Sequence, residues 1–367
     1  MNKGKKRRIA ILTGGGDCPG INAVIRAITK KAILEHDMEI IGIKDGYEGL
    51  IDNQYRTLNF DDVSGILTLG GTILGTSKKA NPFQYAVNEG DGDKLKFEDR
   101  SAVVLKNIET LKIECLVCIG GDGTLWISNR FHKLGVPIIG VPKTIDNDIK
   151  GTDITFGFDS AVNIATEAID RIHTTAQSHH RIMLVEVMGH KAGWIALHSG
   201  IAGGGDVILI PEIPYQSEKI VDYVLQRRKT GRRFSIIAVA EGSKPVGGEV
   251  VIKRIVKESS DPIRLGGISF VLGEELGKMS GLETRSVVLG HLQRGGTPTP
   301  FDRVLATRLG SKAVDLIMEK NYGKMVSVRG GHLEDFPLEE VATGRRLIPA
   351  DYELIKAARE IGVCFGD

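Results

Sequence analysis

The sequence lacks the features that mark several specialised classes of protein. Only four of its 367 residues are cysteine, and its formal net charge is +2. Four cysteines are too few for a disulfide framework in a chain of this length, and the near-neutral charge gives no reason to expect a nucleic-acid partner. No membrane-length apolar run and no secretory signal follow the basic N-terminal residues. We therefore expect a cytoplasmic protein without a membrane segment.

One cysteine pair has the spacing of a redox or metal motif. Cys115 and Cys118 are separated by two residues, but both stand inside an apolar segment that predicts a buried strand. Successive side chains of a strand point to opposite faces, so residues three positions apart do not face each other. The sequence therefore predicts two buried thiols in a reducing compartment.

What the sequence contains is a series of short apolar segments that alternate with stretches of helical spacing. This alternation predicts an α/β fold in which parallel sheets are covered by helices. A chain of 367 residues is long enough for two such domains. The predicted architecture is two Rossmann-like parallel-sheet domains that face a shared cleft.

The segment around which the chain is organised is an apolar strand that runs into a glycine turn, residues 118–124. Glycine turns after buried strands leave backbone N–H groups uncovered, so phosphate oxygens can approach them. Asp122 in this turn adds a hard oxygen ligand of the kind that Mg²⁺ uses together with a phosphate. The alternative interpretation is a tight turn before a helix, without a ligand.

Two further glycine segments suggest phosphate loops. Residues 14–20 follow the apolar strand 9–13 and open a helix, whose N-terminus favours anions. Pro19 stands where a dinucleotide fingerprint needs glycine, so that motif is not met. Residues 70–79 end in two lysines that either contact phosphate or are solvated. A strand–helix turn without a ligand is the alternative for residues 14–20.

Charged residues follow other predicted strands. Asp146 and Asp148 come after the strand 136–142, together with a lysine and a threonine, which suits a general base beside a metal-organising acid. Turn chemistry is the alternative for this Asp-Asn-Asp segment. Cations in the second half would bind a phosphorylated substrate, since arginine forks match phosphate oxygens, or else are scattered over the surface: Arg181, Arg285, His291 and Arg294.

Taken in order, these segments resemble the 6-phosphofructokinase family from residue 9 to about residue 309. The motifs that carry the resemblance are GGDGT at 120–124, PKTIDND at 142–148, VEVMGH at 185–190 and LGHLQRGG at 289–296. The glycine loops at 14–20 and 70–76 also match. The resemblance implies Mg²⁺-dependent phosphoryl transfer from ATP to the 1-hydroxyl of fructose 6-phosphate, a step of glycolysis. The same transfer from pyrophosphate is the alternative, and a non-catalytic sugar-phosphate-binding relative is a third interpretation.

The resemblance also implies roles for individual residues. Asp146 matches the catalytic base and Thr144 a hydroxyl near the attacking oxygen, while Lys143 can assist transfer where His190 replaces an arginine. Asp122 matches the aspartate that organises Mg²⁺, and Asp148 matches its supporting carboxylate. Positions beside the donor are Gly15, Gly16, Lys78, Lys79, Gly121, Asp122, Gly123 and Thr124. Positions that hold the sugar and its phosphate are Thr144, Asp146, Asp148, Met188, Gly189, His190, Glu241, His291 and Arg294. Arg181 and Arg285 match arginines that the family inserts from a neighbouring subunit, which implies a homo-oligomer, dimer or tetramer.

The expected division assigns residues 1–157 with about 293–343 to a larger donor-binding domain. Residues 158–292 with about 344–367 then form a smaller domain that binds fructose 6-phosphate.

Two positions bear on the donor in opposite directions. Relatives that use pyrophosphate usually carry an aspartate at the position of Gly123, where its carboxylate obstructs the α-phosphate of a nucleotide. Lys143, however, matches the lysine of those same relatives. Because the aspartate acts by exclusion and the lysine excludes nothing, the sequence favours ATP. His190 and Lys78 stand where many ATP-dependent members carry arginine, so the charge at Lys78 is kept without the guanidinium fork.

Overall fold

The computed structural model describes residues 6–77, 79–88, 95–256 and 262–367. In chain order the strands are β1 (Arg8–Thr13), β2 (Glu39–Ile43), β3 (Tyr55–Leu58), β4 (Tyr85–Asn88), β5 (Leu95–Glu98), β6 (Cys115–Gly120), β7 (Ile138–Pro142), β8 (Ile182–Val187), β9 (Val207–Leu209), β10 (Ser235–Ala240), β11 (Ile252–Ile255), β12 (Ile263–Leu265), β13 (Thr284–Val288), β14 (Lys324–Arg329) and β15 (His332–Pro337). The α-helices are α1 (Ile21–His36), α2 (Tyr47–Ile51), α3 (Ser101–Leu111), α4 (Asp122–Lys133), α5 (Phe158–His179), α6 (Trp194–Ala202), α7 (Ser217–Lys229), α8 (Ile268–Ser280), α9 (Pro300–Met318), α10 (Leu338–Val341) and α11 (Glu353–Glu360). Short 3₁₀ helices cover Ile66–Thr68 and Gly290–Arg294.

The strands form two main sheets of different size, which confirms the predicted α/β fold. The larger sheet has the order β15-β14-β7-β6-β1-β2-β3, and the smaller has the order β13-β8-β10-β9. All pairs in the smaller sheet are parallel. In the larger sheet, β1, β6 and β7 are also parallel neighbours, so their carboxyl ends meet at one edge of that sheet. The carboxyl ends of β8, β10 and β13 meet in the same way at one edge of the smaller sheet.

The edge strands β3 and β15 are antiparallel to their neighbours, a detail that the sequence pattern did not indicate. The connection between β14 and β15 consists of Gly330 and Gly331, with φ angles of 55° and 83°. Two consecutive residues with positive φ form the tight hairpin turn that suits the strand twist, and glycine adopts them without strain. Two smaller hairpins, β4–β5 and β11–β12, lie outside the main sheets.

The central strand β6 is buried along its whole length, as expected for a strand covered by helices on both faces. Its side chains contribute to two different cores. Cys115 lies in the core that also contains Val24 of α1, and Cys118 lies on the other face, where the Tyr47 hydroxyl is 3.6 Å from its sulfur. The predicted pair of buried thiols on opposite faces is confirmed.

Helices α5 and α9 begin beside each other and share one buried carboxylate. Both the backbone N–H and the hydroxyl of Ser160 donate to Oδ2 of Asp302, at 2.8 and 2.6 Å. The Thr299 hydroxyl donates to Asp159 Oδ2 at 2.5 Å. Burial raises the pKa of Asp302 to about 6. Since α5 leads into the smaller sheet and α9 packs on α1 against the larger, this network joins the two halves.

Across the described ranges, none of the helices combines the length and apolar character that a membrane crossing needs.

Candidate active site

The glycine turns after β1 and β6 close around the side chain of Thr124. A Cβ atom on Gly14 would lie 2.6 Å from the Thr124 hydroxyl oxygen, and one on Gly120 would overlap the same side chain. The Gly14 N–H donates to the Ile119 carbonyl at 2.9 Å. Glycine is therefore required at both positions, because any side chain would force the two loops apart.

The third glycine segment joins these two loops. The Thr76 hydroxyl donates to the Gly15 carbonyl at 2.7 Å, and the Gly15 N–H donates to the Ser77 carbonyl at 3.4 Å. Gly15 has a φ of 78°, which favours glycine. The sequence did not single out Thr76 or Ser77 for a backbone contact. The structure thus brings together the three predicted phosphate loops, and their phosphate-binding role stays a prediction.

The lysines assigned to the donor differ in their surroundings. Lys143 is 3% exposed, and its ammonium group donates to the Gly16 carbonyl within the first loop. Its backbone N–H donates to the Gly120 carbonyl at 2.9 Å, which holds the second loop and Gly121 beside it. Lys79 is solvent-exposed. Lys78 lies outside the described residues, so its contact with the donor stays a prediction.

Asp146 has a buried side-chain oxygen that forms no hydrogen bond with the described residues. Its backbone N–H donates to the Thr144 hydroxyl at 3.0 Å, which fixes the turn. Its side-chain oxygen Oδ1 is buried and has no hydrogen-bond partner among the described residues. Native proteins satisfy nearly all buried polar atoms, so this oxygen requires a further partner, such as a ligand or a water molecule.

The neighbouring carboxylates form one electrostatic environment with Asp146. Asp148 is 5% exposed, and its pKa is raised to about 8 by burial and then by the negative charges of Asp146 and Asp122. Arg345 opposes this rise. Because the charges of Asp146 and Asp122 disfavour the ionised form of Asp148, its ionisation requires a nearby cation.

That cation comes from a residue that sequence reasoning missed. Arg345 donates to Oδ2 of Asp122 from Nε at 2.9 Å and from Nη2 at 2.6 Å, and its Nε lies 3.8 Å from Asp148 Oδ2. The next residue, Arg346, stacks on the Trp194 ring at 3.9 Å. The only signal in the sequence is two adjacent arginines after Gly344, and this pattern has no motif spacing.

The residues at this edge fit a magnesium ion that is shared with a phosphate. Within the described ranges, no three acidic, histidine or cysteine residues lie close enough to hold a metal by themselves. Mg²⁺ usually takes one or two carboxylates and completes its shell with phosphate oxygens and water. The Asp122 side chain is 45% exposed beside the glycine loops, with its Oδ1 accepting from the Gly123 N–H at 2.8 Å.

The residues assigned to the sugar meet at the carboxyl ends of β8 and β10. The His190 N–H donates to Glu241 Oε1 at 3.1 Å, and the Met188 N–H donates to Gln293 Oε1 at 3.3 Å. Gly189 has a φ of 144°, which favours glycine. Burial and the charge of Asp146 raise the pKa of Glu241 to about 7. This coupling places Glu241 within electrostatic range of the proposed base.

The 3₁₀ helix Gly290–Arg294 joins the smaller sheet to the first glycine loop. The Leu289 N–H donates to the Glu186 carbonyl at 3.0 Å, and Arg294 Nη1 donates to the Asp17 carbonyl at 3.0 Å. Arg294 Nε is buried without a hydrogen-bond partner in the described part of the chain. His291 is exposed on the same turn. A buried guanidinium N–H beside an exposed imidazole suits a phosphate.

Arg181 and Arg285 do not join this group. They lie at the amino ends of β8 and β13, where both pair with Glu283, at 2.8 Å for Arg181. Met188 follows the opposite end of β8, whose six residues span about 20 Å at roughly 3.3 Å per residue. Within one chain, the two arginines are therefore separated from the sugar residues by the length of the sheet.

Comparison with known protein families gives a match that covers the motifs around this site. The family model described as Phosphofructokinase matches residues 8–317. The chain belongs to the phosphofructokinase family. This result confirms the resemblance found in the sequence.

Individual members of the family that are similar to the chain differ in their donor. An ATP-dependent 6-phosphofructokinase 2 of Clostridium perfringens is 54% identical over 98% of this chain and 99% of its own length. A pyrophosphate–fructose 6-phosphate 1-phosphotransferase of Amycolatopsis methanolica is 47% identical over 94% of this chain and 97% of its own length. The T-state crystal structure of Pichia pastoris phosphofructokinase has a TM-score of 0.78 and 32% identity over 98% of this chain, which spans 37% of that longer protein.

Proposed function

We propose that the chain is an ATP-dependent 6-phosphofructokinase, which transfers the γ-phosphoryl group of ATP to the 1-hydroxyl of fructose 6-phosphate in glycolysis. The observation that carries this proposal is the buried Oδ1 of Asp146, which has no hydrogen-bond partner among the described residues and lies three residues after Lys143, whose ammonium group contacts the first glycine loop. An alcohol attacks a phosphoryl group best when a positioned carboxylate accepts its proton. Asp146 is that base, and Thr144 holds the turn that positions it.

The donor side is built from the three glycine loops and Lys143. Backbone N–H groups of these loops and the Lys143 ammonium group surround the donor phosphates, with Gly121, Gly123 and Thr124 lining the turn. Asp122 holds Mg²⁺, and Asp148 supports it. When bound, the metal neutralises charge on the transferred phosphoryl group. The contact of Lys143 with the Gly16 carbonyl supports its place beside the first loop.

The acceptor side holds fructose 6-phosphate at both ends. Glu241 accepts hydrogen bonds from the sugar hydroxyls, while the backbone at 188–190 shapes the pocket. Arg294 and His291 bind the 6-phosphate, which directs the 1-hydroxyl towards Asp146. Phosphoryl transfer depends mainly on this alignment of the two substrates.

The choice of donor is tested directly by measuring fructose 1,6-bisphosphate formation with Mg-ATP and with Mg-pyrophosphate. We expect kcat/KM for ATP to exceed that for pyrophosphate by tenfold or more, about 1.4 kcal/mol in transition-state stabilisation. The 47% identical pyrophosphate-dependent relative and the buried Lys143 favour the second donor as the alternative. The residual activity of Asp146→Ala protein, purified in parallel, measures the contribution of any contaminating kinase. Turnover with pyrophosphate alone would reverse the assignment.

The active site is proposed to be shared between subunits of a homo-oligomer. Arg181 and Arg285 lie about one strand length from the sugar residues of their own chain, which supports their insertion into a neighbour's site. The Arg285 side chain is exposed on the edge strand β13, where a partner could reach it, and within this chain both arginines pair with Glu283.

A mixing experiment tests the shared site. Asp146→Ala lacks the base and Arg285→Ala lacks the inserted arginine, so we expect each to be nearly inactive alone. In mixed oligomers, about a quarter of the sites combine an intact base with an intact arginine from the neighbour, and that fraction of activity should return. The matched control mixes Asp146→Ala with Arg294→Ala, whose lesions lie in one site and should not complement. If activity returns in neither mixture, the proposed shared site is contradicted.

The two sheets are further proposed to define the domains, with residues 1–157 and about 293–343 around the larger sheet and 158–292 with about 344–367 around the smaller. The cytoplasm is the proposed compartment. The four cysteines are free thiols and three of them are buried, which suits a reducing environment.

A further inference from the structure

The guanidinium of Arg345 lies on the carboxylate that is assigned to the metal. Two of its nitrogens donate to the same oxygen, Asp122 Oδ2, at 2.9 and 2.6 Å. The Arg345 side chain is 23% exposed, so the pair is partly shielded from solvent. Charge-assisted bonds of this kind are stronger than neutral ones.

The backbone around Arg345 holds it in this position. Arg345 forms an antiparallel bridge with Ile149, directly after the acidic turn. The N–H of Arg346 donates to the Asp148 carbonyl at 2.8 Å, and its Nη1 donates to the Asn147 carbonyl at 3.1 Å. The Trp194 indole N–H donates to the Arg346 carbonyl at 3.1 Å. Contacts on both sides thus fix the segment that aims Arg345 at the carboxylates.

Arg345 and a divalent cation would bind the same carboxylate oxygens. The Arg345 Nε lies 2.9 Å from Asp122 Oδ2 and 3.8 Å from Asp148 Oδ2, so two neighbouring carboxylates share its positive charge when no substrate is present. Arginine has only donors and cannot lose its proton, so it satisfies carboxylate oxygens that a metal would otherwise bind. When a donor arrives with Mg²⁺, its phosphate oxygens offer the guanidinium another partner of the same geometry.

We propose that Arg345 is a displaceable counter-cation: it neutralises Asp122 in the empty site, gives that carboxylate up to Mg²⁺, and then binds a donor phosphate. This proposal rests on the proposed role of Asp122 as the magnesium ligand. It also supplies an arginine for the transferred phosphoryl group in a chain that carries His190 where many relatives have arginine.

The first test measures Mn²⁺ binding to the enzyme without nucleotide, by electron paramagnetic resonance of the free ion. Arg345→Gln removes the competing charge, so we expect Mn²⁺ to bind about three- to tenfold more tightly, the effect of one partly exposed charge at contact distance. Arg345→Lys keeps the charge without the fork and should fall between the two proteins. Unchanged Mn²⁺ affinity in Arg345→Gln would overturn the proposal.

The second test measures ATP binding in the presence of EDTA, where no metal is available to bridge. Arg345→Gln should bind ATP about tenfold more weakly, the effect of losing one charge-assisted phosphate contact. Unchanged affinity would overturn the second half of the proposal. Binding of fructose 6-phosphate, measured on the same samples, reports whether Arg345→Gln is folded. If Arg345→Gln is not folded, Arg345→Lys takes its place in both tests.

Asp122→Asn separates this inference from the assignment of the metal. If Asp122 is a ligand, Mn²⁺ binding should weaken in Asp122→Asn, and a further Arg345→Gln change should no longer tighten it. If Asp122→Asn binds Mn²⁺ as the unaltered protein does, the metal lies elsewhere and both the assignment and the counter-cation proposal fail. If Asp122→Asn weakens binding but Arg345→Gln has no effect, only the counter-cation proposal fails.

Discussion

Replacing Asp146 by alanine is expected to lower kcat by about 10²–10⁴-fold, the range that a positioned general base contributes. The physical reason is that its buried Oδ1 has no partner in the described protein and is available to accept the proton of the sugar hydroxyl. Steady-state kinetics with saturating Mg-ATP and fructose 6-phosphate measure the loss.

Binding measurements distinguish loss of the base from loss of the site. Fructose 6-phosphate should still bind to Asp146→Ala, because Arg294 and Glu241 are unchanged, and isothermal titration would measure this. Asp146→Asn keeps the shape of the side chain and should be almost as slow. Asp170→Asn, on the exposed part of α5, is the matched control and should retain full activity. An Asp146→Ala protein with normal turnover would remove the assigned base, whereas an inactive unaltered protein would favour the non-catalytic interpretation.

Gly123→Asp is expected to lower kcat/KM for ATP by about 100-fold or more, because a carboxylate beside the donor opposes the α-phosphate, and such juxtapositions cost several kcal/mol. Pyrophosphate has no α-phosphate at that point, so its use should change by less than about tenfold, less than 1.4 kcal/mol. The assay compares the two donors on the same preparation, and equilibrium binding of Mg-ATP supports it.

The variant is well suited to this comparison because the fold should tolerate it. Gly123 lies in the first turn of α4 without a positive φ, and acidic residues are favourable at that end of a helix. Gly123→Ala adds only a methyl group, and Gly123→Asn adds the same bulk as aspartate without its charge. If all three substitutions reduce both donors equally, exclusion of the nucleotide is not the function of this position.

Local patterns predicted much of the donor side of the site. The glycine segments at 14–20 and 120–124 directly follow β1 and β6, which are parallel neighbours, so the parallel fold alone brings these two together. The opposite faces of Cys115 and Cys118 followed from strand geometry in the same way.

Other parts of the site depend on contacts that no local pattern encodes. Arg345 bonds Asp122 although 223 residues separate them in the sequence, and its segment is held in place by the bridge to Ile149 and by the bonds of Arg346. Adjacent arginines usually face solvent, so the sequence alone does not indicate this contact. The contact of Thr76 with the Gly15 carbonyl likewise depends on how two loops approach in three dimensions. The antiparallel pairing of β15 with β14 arises from turn geometry at Gly330 and Gly331, where the sequence shows only two glycines.

The carboxylate of Asp302 has a mechanical consequence for the whole molecule. Because it bonds the start of α5 from the start of α9, the two halves are tied to each other at that point. Two further contacts cross between the halves, from Arg294 Nη1 to the Asp17 carbonyl and from the Arg346 N–H to the Asp148 carbonyl. A rotation of one half against the other would therefore have to stretch several separate links at once, which restrains the movement that substrates could induce.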